Sequence, residues 1–246
     1  MKLWKLAGAG LLAATMLGGS PLAQDRPPNQ PPPGFTSLFN GKDLSGWRGR
    51  QGTYSPHEQA KLTPEELAAK QQAWNADRDL HWSVDVAKGE IVSDGKGVHL
   101  ATARDYADFE FWVDWLMVSP GGDSGVYLRG YPQVQIWDPD NPREVKNGAN
   151  RGSGALWNNN NDNPGKWPLV RADNAVGQWN TLRIRMIGPR VSIWLNAKQT
   201  VDDQVLDNYY NRAIPVLPSG PIELQTHGSE IRFRNIYVRE IPAGGK

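Results

Sequence analysis

The chain has 246 residues, with 27 Lys+Arg against 26 Asp+Glu and no cysteine. A formal net charge of +1 provides no field to hold nucleic acid or an anionic membrane surface, so a neutral ligand is expected. Without cysteine there are no disulfides, thiol nucleophiles or thiolate metal sites, and stability rests on a core that one all-β domain of roughly 200–250 residues can supply.

In chain order, Met1–Ala23 reads as a secretory signal. Lys2 and Lys5 form the basic start, the apolar run Leu6–Leu17 is too short to span a bilayer, and Pro21-Leu22-Ala23 is a cleavage site. The expectation is a periplasmic or secreted protein without an integral membrane domain, the alternative being an uncleaved N-terminal anchor. Residues 24–34 form a proline-rich linker, Asp25–Gly34 being DRPPNQPPPG, and a single β-sandwich domain is expected over 35–243. Phe35–Trp47, with its Asn-Gly and Ser-Gly turns, is the entry strand. One helix stands out: Thr63 as N-cap, Pro64 at the first helical position and Glu66 at the third place it at about Pro64–Ala76. It reads as an insertion that covers a sheet edge, with no function attached.

From Trp82 onward, short runs such as HWSVDV, GVHLAT, DFEFWVDWLM, SGVYLRG, QVQIWD and TLRIRMI are separated by Gly, Pro, Asn or Asp, the rhythm of an all-β sandwich or barrel. Arg190–Val201 reads as a hairpin with Asn196-Ala197-Lys198 at its tip. Alanine where a glycine would ease a positive φ predicts a loop longer than two residues. Two polar loops, Asp138–Gly154 and Trp157–Trp167, are long; the Asn158–Asn163 run within the second reads as turn chemistry ahead of ligand binding.

Alternation at period two separates two faces. Val126, Leu128, Val134, Ile136, Ile222 and Leu224 fall on one. The other carries Tyr127, Arg129, Gln133, Gln135, Trp137, Glu223, Gln225 and His227, a set of amides, aromatics, an arginine, a carboxylate and a histidine that suits a sugar. Trp82, Trp115 and Trp179 read as core. Trp112 sits in the polar phase beside Glu110 and Asp114, so Trp112 and Trp137 are the platform candidates, with Asp114 as a polar contact. His227 ends the Glu223/Gln225 face before Gly228, whereas His57, His81 and His99 lack comparable company. Glu223, Asp114, Glu110, Asp123 and Asp138 are the carboxylates placed to act as acid, base or metal ligand. Arg183, Arg185, Arg232 and Arg234 read as plain surface. Gly122-Asp123-Ser124-Gly125 lacks the strand-turn-helix setting of a nucleophile elbow.

Ser-Gly-x-Tyr-Leu-Arg-Gly (124–130), Gln-x-Gln-Ile-x-Asp (133–138), Gly-x-Trp-Asn (177–180), Glu-Leu-Gln-x-His-Gly (223–228) and Phe-Arg-Asn-Ile (233–236) together resemble the 3-keto-disaccharide hydrolase domain family of secreted bacterial proteins, in order from about Phe35 to Ile241. The resemblance implies an all-β, two-sheet antiparallel jelly-roll sandwich of concanavalin A-like type. It also implies cleavage of 3-keto-glycosides by C2 proton abstraction, elimination and water addition, with an upstream sugar 3-dehydrogenase supplying the oxidised saccharide. On that reading His227 is base or acid, Arg129 steadies the enolate oxygen, and Glu223 or Asp138 is the partner carboxylate. Tyr127, Gln133, Gln135 and Trp137 would hold the sugar, with Gln225, Trp112 and Asp114 as further contacts. A divalent metal ion could supply the charge stabilisation, and no organic cofactor is implied. Two departures are Gln133, where many relatives carry glutamate, and Asn196-Ala197 in place of Asn-Gly. The alternative function is a non-catalytic, lectin-like module, which would use Trp137 and the amides without His227 and Glu223.

Overall fold

Hydrophobic alternation along the chain becomes thirteen strands in the computed structural model, which describes residues 28–242; Met1–Ala23, read from the sequence as a signal, lies outside the described residues. In chain order they are β1 (Thr36–Ser37), β2 (Trp47–Arg50), β3 (Trp82–Asp85), β4 (Glu90–Ser93), β5 (His99–Thr102), β6 (Phe109–Met117), β7 (Asp123–Leu128), β8 (Tyr131–Trp137), β9 (Asn180–Ile187), β10 (Arg190–Leu195), β11 (Lys198–Val205), β12 (Glu223–Leu224) and β13 (Ile231–Glu240). Eight of them form one antiparallel sheet in the order β11-β10-β9-β6-β13-β4-β3, with β1 also paired to β13. The other five form a second antiparallel sheet, β2-β5-β12-β7-β8. This is the two-sheet sandwich that the sequence predicts.

The core lies between the inner faces. Phe109, Phe111, Val113, Trp115 and Met117 of β6 and Leu182, Ile184 and Met186 of β9 pack in one apolar cluster with Val126, Leu128, Val134, Ile136 and Leu224 of the smaller sheet. Strict alternation of buried and half-buried residues along β9 is what one covered face and one wet face require. Trp82 and Trp115 are in the core as predicted. Trp179 is not: it is half-buried at the start of β9, with the Arg234 guanidinium 4.0 Å over its ring, because it belongs to the turn before the strand and not to the strand's inward phase.

Pro56–Gln59 forms a short helix, α1, and Pro64–His81 a longer one, α2. The predicted capping box is present: Thr63 Oγ1 accepts from the Glu66 N–H, and Glu66 accepts from the Thr63 N–H. The helix runs five residues past the predicted end, because Asn75–His81 contains no helix breaker. It covers the edge of β2. Gln71 Nε2 donates to Gly49 O, Asn75 Oδ1 accepts from Gly49 N–H, and Arg78 Nη1 donates to Trp47 O, so side chains replace the missing neighbour strand. Gly49 is obligatory here, since a Cβ would overlap the Trp74 carbonyl.

The proline-rich stretch ends docked: Asn29 and Asn235 exchange backbone-to-side-chain hydrogen bonds of 2.7 and 2.9 Å, and Asn29 Nδ2 donates to Gly89 O. The Asn158–Asn163 loop is turn chemistry tied to β11: Asn159 and Asn163 Nδ2 donate to Val205 O, and Asn159 Oδ1 accepts from Asp207 N–H.

The β10–β11 hairpin corrects the longer-loop expectation. Leu195 pairs with Lys198, so the loop is the two residues Asn196 and Ala197, at φ 48° and 65°. Asn196 tolerates this because its side chain is engaged by Ala172 O, Asn180 Oδ1 and the Thr181 N–H. Ala197 has no such compensation. Ala197→Gly is expected to raise stability by about 0.5–1 kcal/mol, relief of left-handed strain exceeding the entropy that glycine adds to the unfolded chain; urea denaturation measures it.

Candidate active site

The outer face of the five-stranded sheet gathers the polar phase of five strands. Register places Arg50 opposite His99, Glu223 between Ala101 and Tyr127, Gly125 opposite Gln135, and Asp123 opposite Trp137. Beyond β12 the pairing persists for one more bond, Gln225 N–H to Gly125 O, which sets Gln225 beside the glycine.

One end of this face is a buried ionic cluster. Glu223 is 0% exposed and Arg50 is 1% exposed. Arg50 Nη1 donates to Glu223 Oε1 at 2.7 Å, its Nε to Gln59 Oε1 at 3.0 Å and its Nη2 to Tyr54 O at 2.7 Å. Glu223 Oε2 lies 3.4 Å from His99 Nδ1. A carboxylate facing Nδ1 favours the ring proton there and leaves Nε2 free. The His99 ring meets Tyr127 edge-on at 4.7 Å. Tyr210 closes this end, its hydroxyl donating to Gly52 O. Burial first, and then the Tyr210 and Glu223 charges, push the Tyr127 phenol well above the usual tyrosine range, so it stays a protonated donor.

The other end holds Asp123 and His227, with His227 Nδ1 3.4 Å from Asp123 Oδ2. The His227 side chain is 61% exposed and therefore open to a ligand. Burial raises the Asp123 carboxyl above its ordinary value; His227 and the Gln135 amide pull it down, and Glu144 pushes it further up. Between the two ends the floor is amide. Gln135 Nε2 donates to Asp123 Oδ1 at 2.6 Å, and Gln133 Nε2 donates to Gln135 Oε1 at 2.6 Å. Gly125 lies beneath Gln133: a Cβ would come 2.5 Å from Gln133 Oε1 and 3.0 Å from Val134 O.

The structure thus brings His227, Glu223, Tyr127, Gln133, Gln135 and Gln225 to one face and removes four expected members. Arg129 takes a positive φ of 53° after β7 and leaves the alternation. Its guanidinium is buried against Ala107 O, Leu217 O and Asp108, with no donor directed to the sheet face. Asp138 is a turn-former, accepting from the Gly121 and Asp140 N–H groups. Trp112 and Asp114 belong to β6, in the other sheet; Asp114 is bound to Thr181 and Asn235, and Trp112 packs against Phe35 at 5.5 Å. Trp137 shares the polar phase but is only 4% exposed, with Nε1 donating to Gly152 O and Trp157 lying edge-on at 6.0 Å, so it supports the loop and is no open platform.

Three residues were missed or undervalued. His99 and Ala101 alternate with Leu100 and Thr102, so the period-two reading that singled out His227 would have found His99. Asp123 lies one alternation before Gly125 and Tyr127. Arg50 needed the strand register, which no local pattern supplies. Among the described residues no group of three or more His, Asp or Glu side chains is arranged to hold a metal ion. The open hollow lined by Lys42, Asp43, Arg78 and Asp79 lies at the end of α2, away from this face, and its ion pair Arg78–Asp79 is largely in solvent on the aspartate side.

Arg50→Met leaves a fully buried carboxylate without its cation and is expected to cost about 3–5 kcal/mol; adding Glu223→Gln should recover a large part of that loss. Urea unfolding of both variants measures the difference.

Residues 34–239 match the 3-keto-alpha-glucoside-1,2-lyase-like domain family. A curated relative, the 3-keto-disaccharide hydrolase of Bacteroides thetaiotaomicron, is 24% identical over 253 residues, covering 84% of this chain and 78% of the relative. Two crystal structures of Parabacteroides distasonis proteins described as putative glycosyl hydrolases share the fold, each at 21% identity. One has a TM-score of 0.59 with 87% of this chain and 100% of that chain covered, the other 0.56 with 84% and 99%. Since the match takes in the sandwich from the entry strand to within one residue of the end of β13, the chain belongs to the 3-keto-alpha-glucoside-1,2-lyase-like domain family.

Proposed function

We propose that this protein is an exported carbohydrate-cleaving enzyme that acts on 3-keto-glycosides. The observation that carries the reading is the pair of carboxylate–imidazole contacts, His227–Asp123 and His99–Glu223, on one face of the five-stranded sheet. A binding module has no need of two such pairs, which disfavours the lectin-like alternative. The family description, a 1,2-lyase, names the elimination across C1 and C2 that this chemistry requires, and the leader-like N-terminus supports export.

A ketone at C3 acidifies the proton on C2. His227, oriented by Asp123 as in other carboxylate–imidazole pairs, takes that proton, and the C–H electrons move to O3 as an enolate. The Tyr127 hydroxyl, held protonated by its surroundings, donates to the developing oxyanion, the task first assigned to Arg129. The enolate then re-forms the C3 carbonyl while a C1–C2 double bond forms and the C1–O bond breaks. The departing oxygen takes a proton from imidazolium. Water adds to C1, C2 regains a proton, and the products are a 3-keto-sugar and the free alcohol. Glu223, clamped by Arg50, acts through His99 and the Tyr127 ring it positions, not as the proton carrier. A sugar 3-dehydrogenase is the class of enzyme that supplies such a substrate.

The test is to incubate the purified protein with a 3-keto-disaccharide and with its unoxidised parent. Release of 3-keto-glucose from the oxidised sugar alone is expected, with His227→Ala lowering kcat by about 10²–10⁴-fold and Asp123→Asn also lowering it. Equal, tight binding of both sugars without turnover would establish the binding-module reading instead.

A further inference from the structure

Neither indole expected to carry a stacked sugar is placed to do so: Trp112 belongs to the other sheet, and Trp137 is closed over by its loop. One ring beside the candidate site is open. Tyr209 is 50% exposed, and among the described residues it is the aromatic member of the large apolar side chains left in solvent. The loop that presents it is tied down: Asn208 Oδ1 accepts from the Tyr210 and Asn211 N–H groups, Asn208 Nδ2 donates to Pro215 O, and Asn211 Oδ1 accepts from the Ala213 N–H. The Arg212 guanidinium stands 5.7 Å from the Tyr209 ring centre, against 4.0 Å for Arg234 over Trp179, so it does not rest on the ring. Contacts lead from this ring to the sheet face. Tyr210 meets Tyr209 edge-on at 5.4 Å, the Tyr210 hydroxyl donates to Gly52 O at 2.9 Å, and a Cβ on Gly52 would come 1.9 Å from Cε1 of His99. His99 in turn meets the Tyr127 ring. Burial first, then Tyr210 and Glu223, and then Tyr209 push the Tyr127 phenol upward, so Tyr209 and Tyr127 lie within electrostatic reach of each other.

We propose that Tyr209 is the stacking residue for the 3-keto ring, lying against its C–H face while the Tyr127 hydroxyl is directed at O3. This rests on the sugar-cleaving reading above and deepens it. A pyranose carries apolar C–H groups on its faces and oxygens around its rim, so it fits an aromatic ring set beside an O–H donor. Tyr127 supplies that donor: its side chain is 8% exposed, and its hydroxyl has no hydrogen-bond partner among the described residues and is not sealed from solvent. The alcohol that leaves from C1 takes its proton at the His227–Asp123 end, the opposite end of the face. Tyr209, at the Tyr127 end, therefore serves the oxidised ring and not the departing alcohol.

The experiment measures kcat and KM for a 3-keto-disaccharide and for methyl 3-keto-α-glucoside with the wild type, Tyr209→Phe and Tyr209→Ala, with Tyr209→Leu replacing the alanine variant if its melting temperature falls. Alanine is expected to raise KM about five- to tenfold for both sugars, because both carry the keto ring, with kcat changing by less than about twofold. Phenylalanine, which keeps the ring face, should raise KM less than alanine does. Calorimetric titration of His227→Ala and of His227→Ala/Tyr209→Ala with the 3-keto-disaccharide reads the same loss in Kd without turnover. An unchanged KM in Tyr209→Ala, or equal Kd values in the titrations, would overturn the proposal and leave the sugar-cleaving reading intact. A loss confined to the disaccharide would overturn it by assigning Tyr209 to the leaving group. A loss as large in Tyr209→Phe as in Tyr209→Ala would do so by making the hydroxyl, and not the ring, the contact. Failure of the wild type to turn over either sugar would overturn the proposed function and this inference with it.

Discussion

The functional face depends on one buried charge. Glu223 sits in the middle of a five-stranded sheet with no solvent exposure, and a carboxylate in that position is tolerable only if its charge is met. Arg50 meets it from the edge strand, and Arg50 is itself buried, so it needs partners of its own. It finds them in Gln59 and in the Tyr54 carbonyl, both in the segment leading into the helical insertion. The requirement thus propagates outward from Glu223 to Arg50 to residues 54–59, and then through β2 to α2, whose side chains cover the strand's free edge. The insertion read from the sequence as a mere edge cover is therefore part of the scaffold that holds the site, although it contributes no reacting group.

A second constraint is steric. Gly125 lets the Gln133 amide fold down over β7, and Gly49 lets the α2 backbone approach β2. In each case the missing Cβ permits a contact that positions a polar group, and alanine would displace it. Glycine here decides what stands above the sheet more than how the chain turns.

Much of this was legible in the sequence, because period-two alternation reports directly which residues share a face. Tyr127, Gln133, Gln135, Glu223 and Gln225 were all placed correctly by it. The failures have a common physical origin. Arg129 was counted in phase with Tyr127, but the chain turns at that residue with positive φ, and the phase does not survive a turn. Trp112 and Asp114 had the right local pattern in the wrong sheet, since alternation says nothing about which of two sheets a strand joins. Arg50 and His99 come together with Glu223 only through the pairing of β2 with β5 and of β5 with β12, contacts more than a hundred residues apart for the glutamate. Trp137 had the right phase and sheet, yet the loop carrying Gly152 and Trp157 covers it, and that loop has no periodicity to read.

The chemical character of the face follows from how its charges are used. Each nitrogen of Arg50 is engaged by the protein, so this arginine is spent on holding Glu223 and offers no clamp to an anionic ligand. Arg129 is turned to Ala107, Asp108 and Leu217. What remains on this face is a phenol kept protonated, side-chain amides, and imidazoles beside carboxylates. A carboxylated sugar would meet Asp123 and Glu144 with no free guanidinium from these two arginines to offset the repulsion. An uncharged saccharide meets groups that exchange hydrogen bonds with hydroxyls, and it is the ligand class for which the proton transfer proposed for His227 faces no charge on the ligand itself.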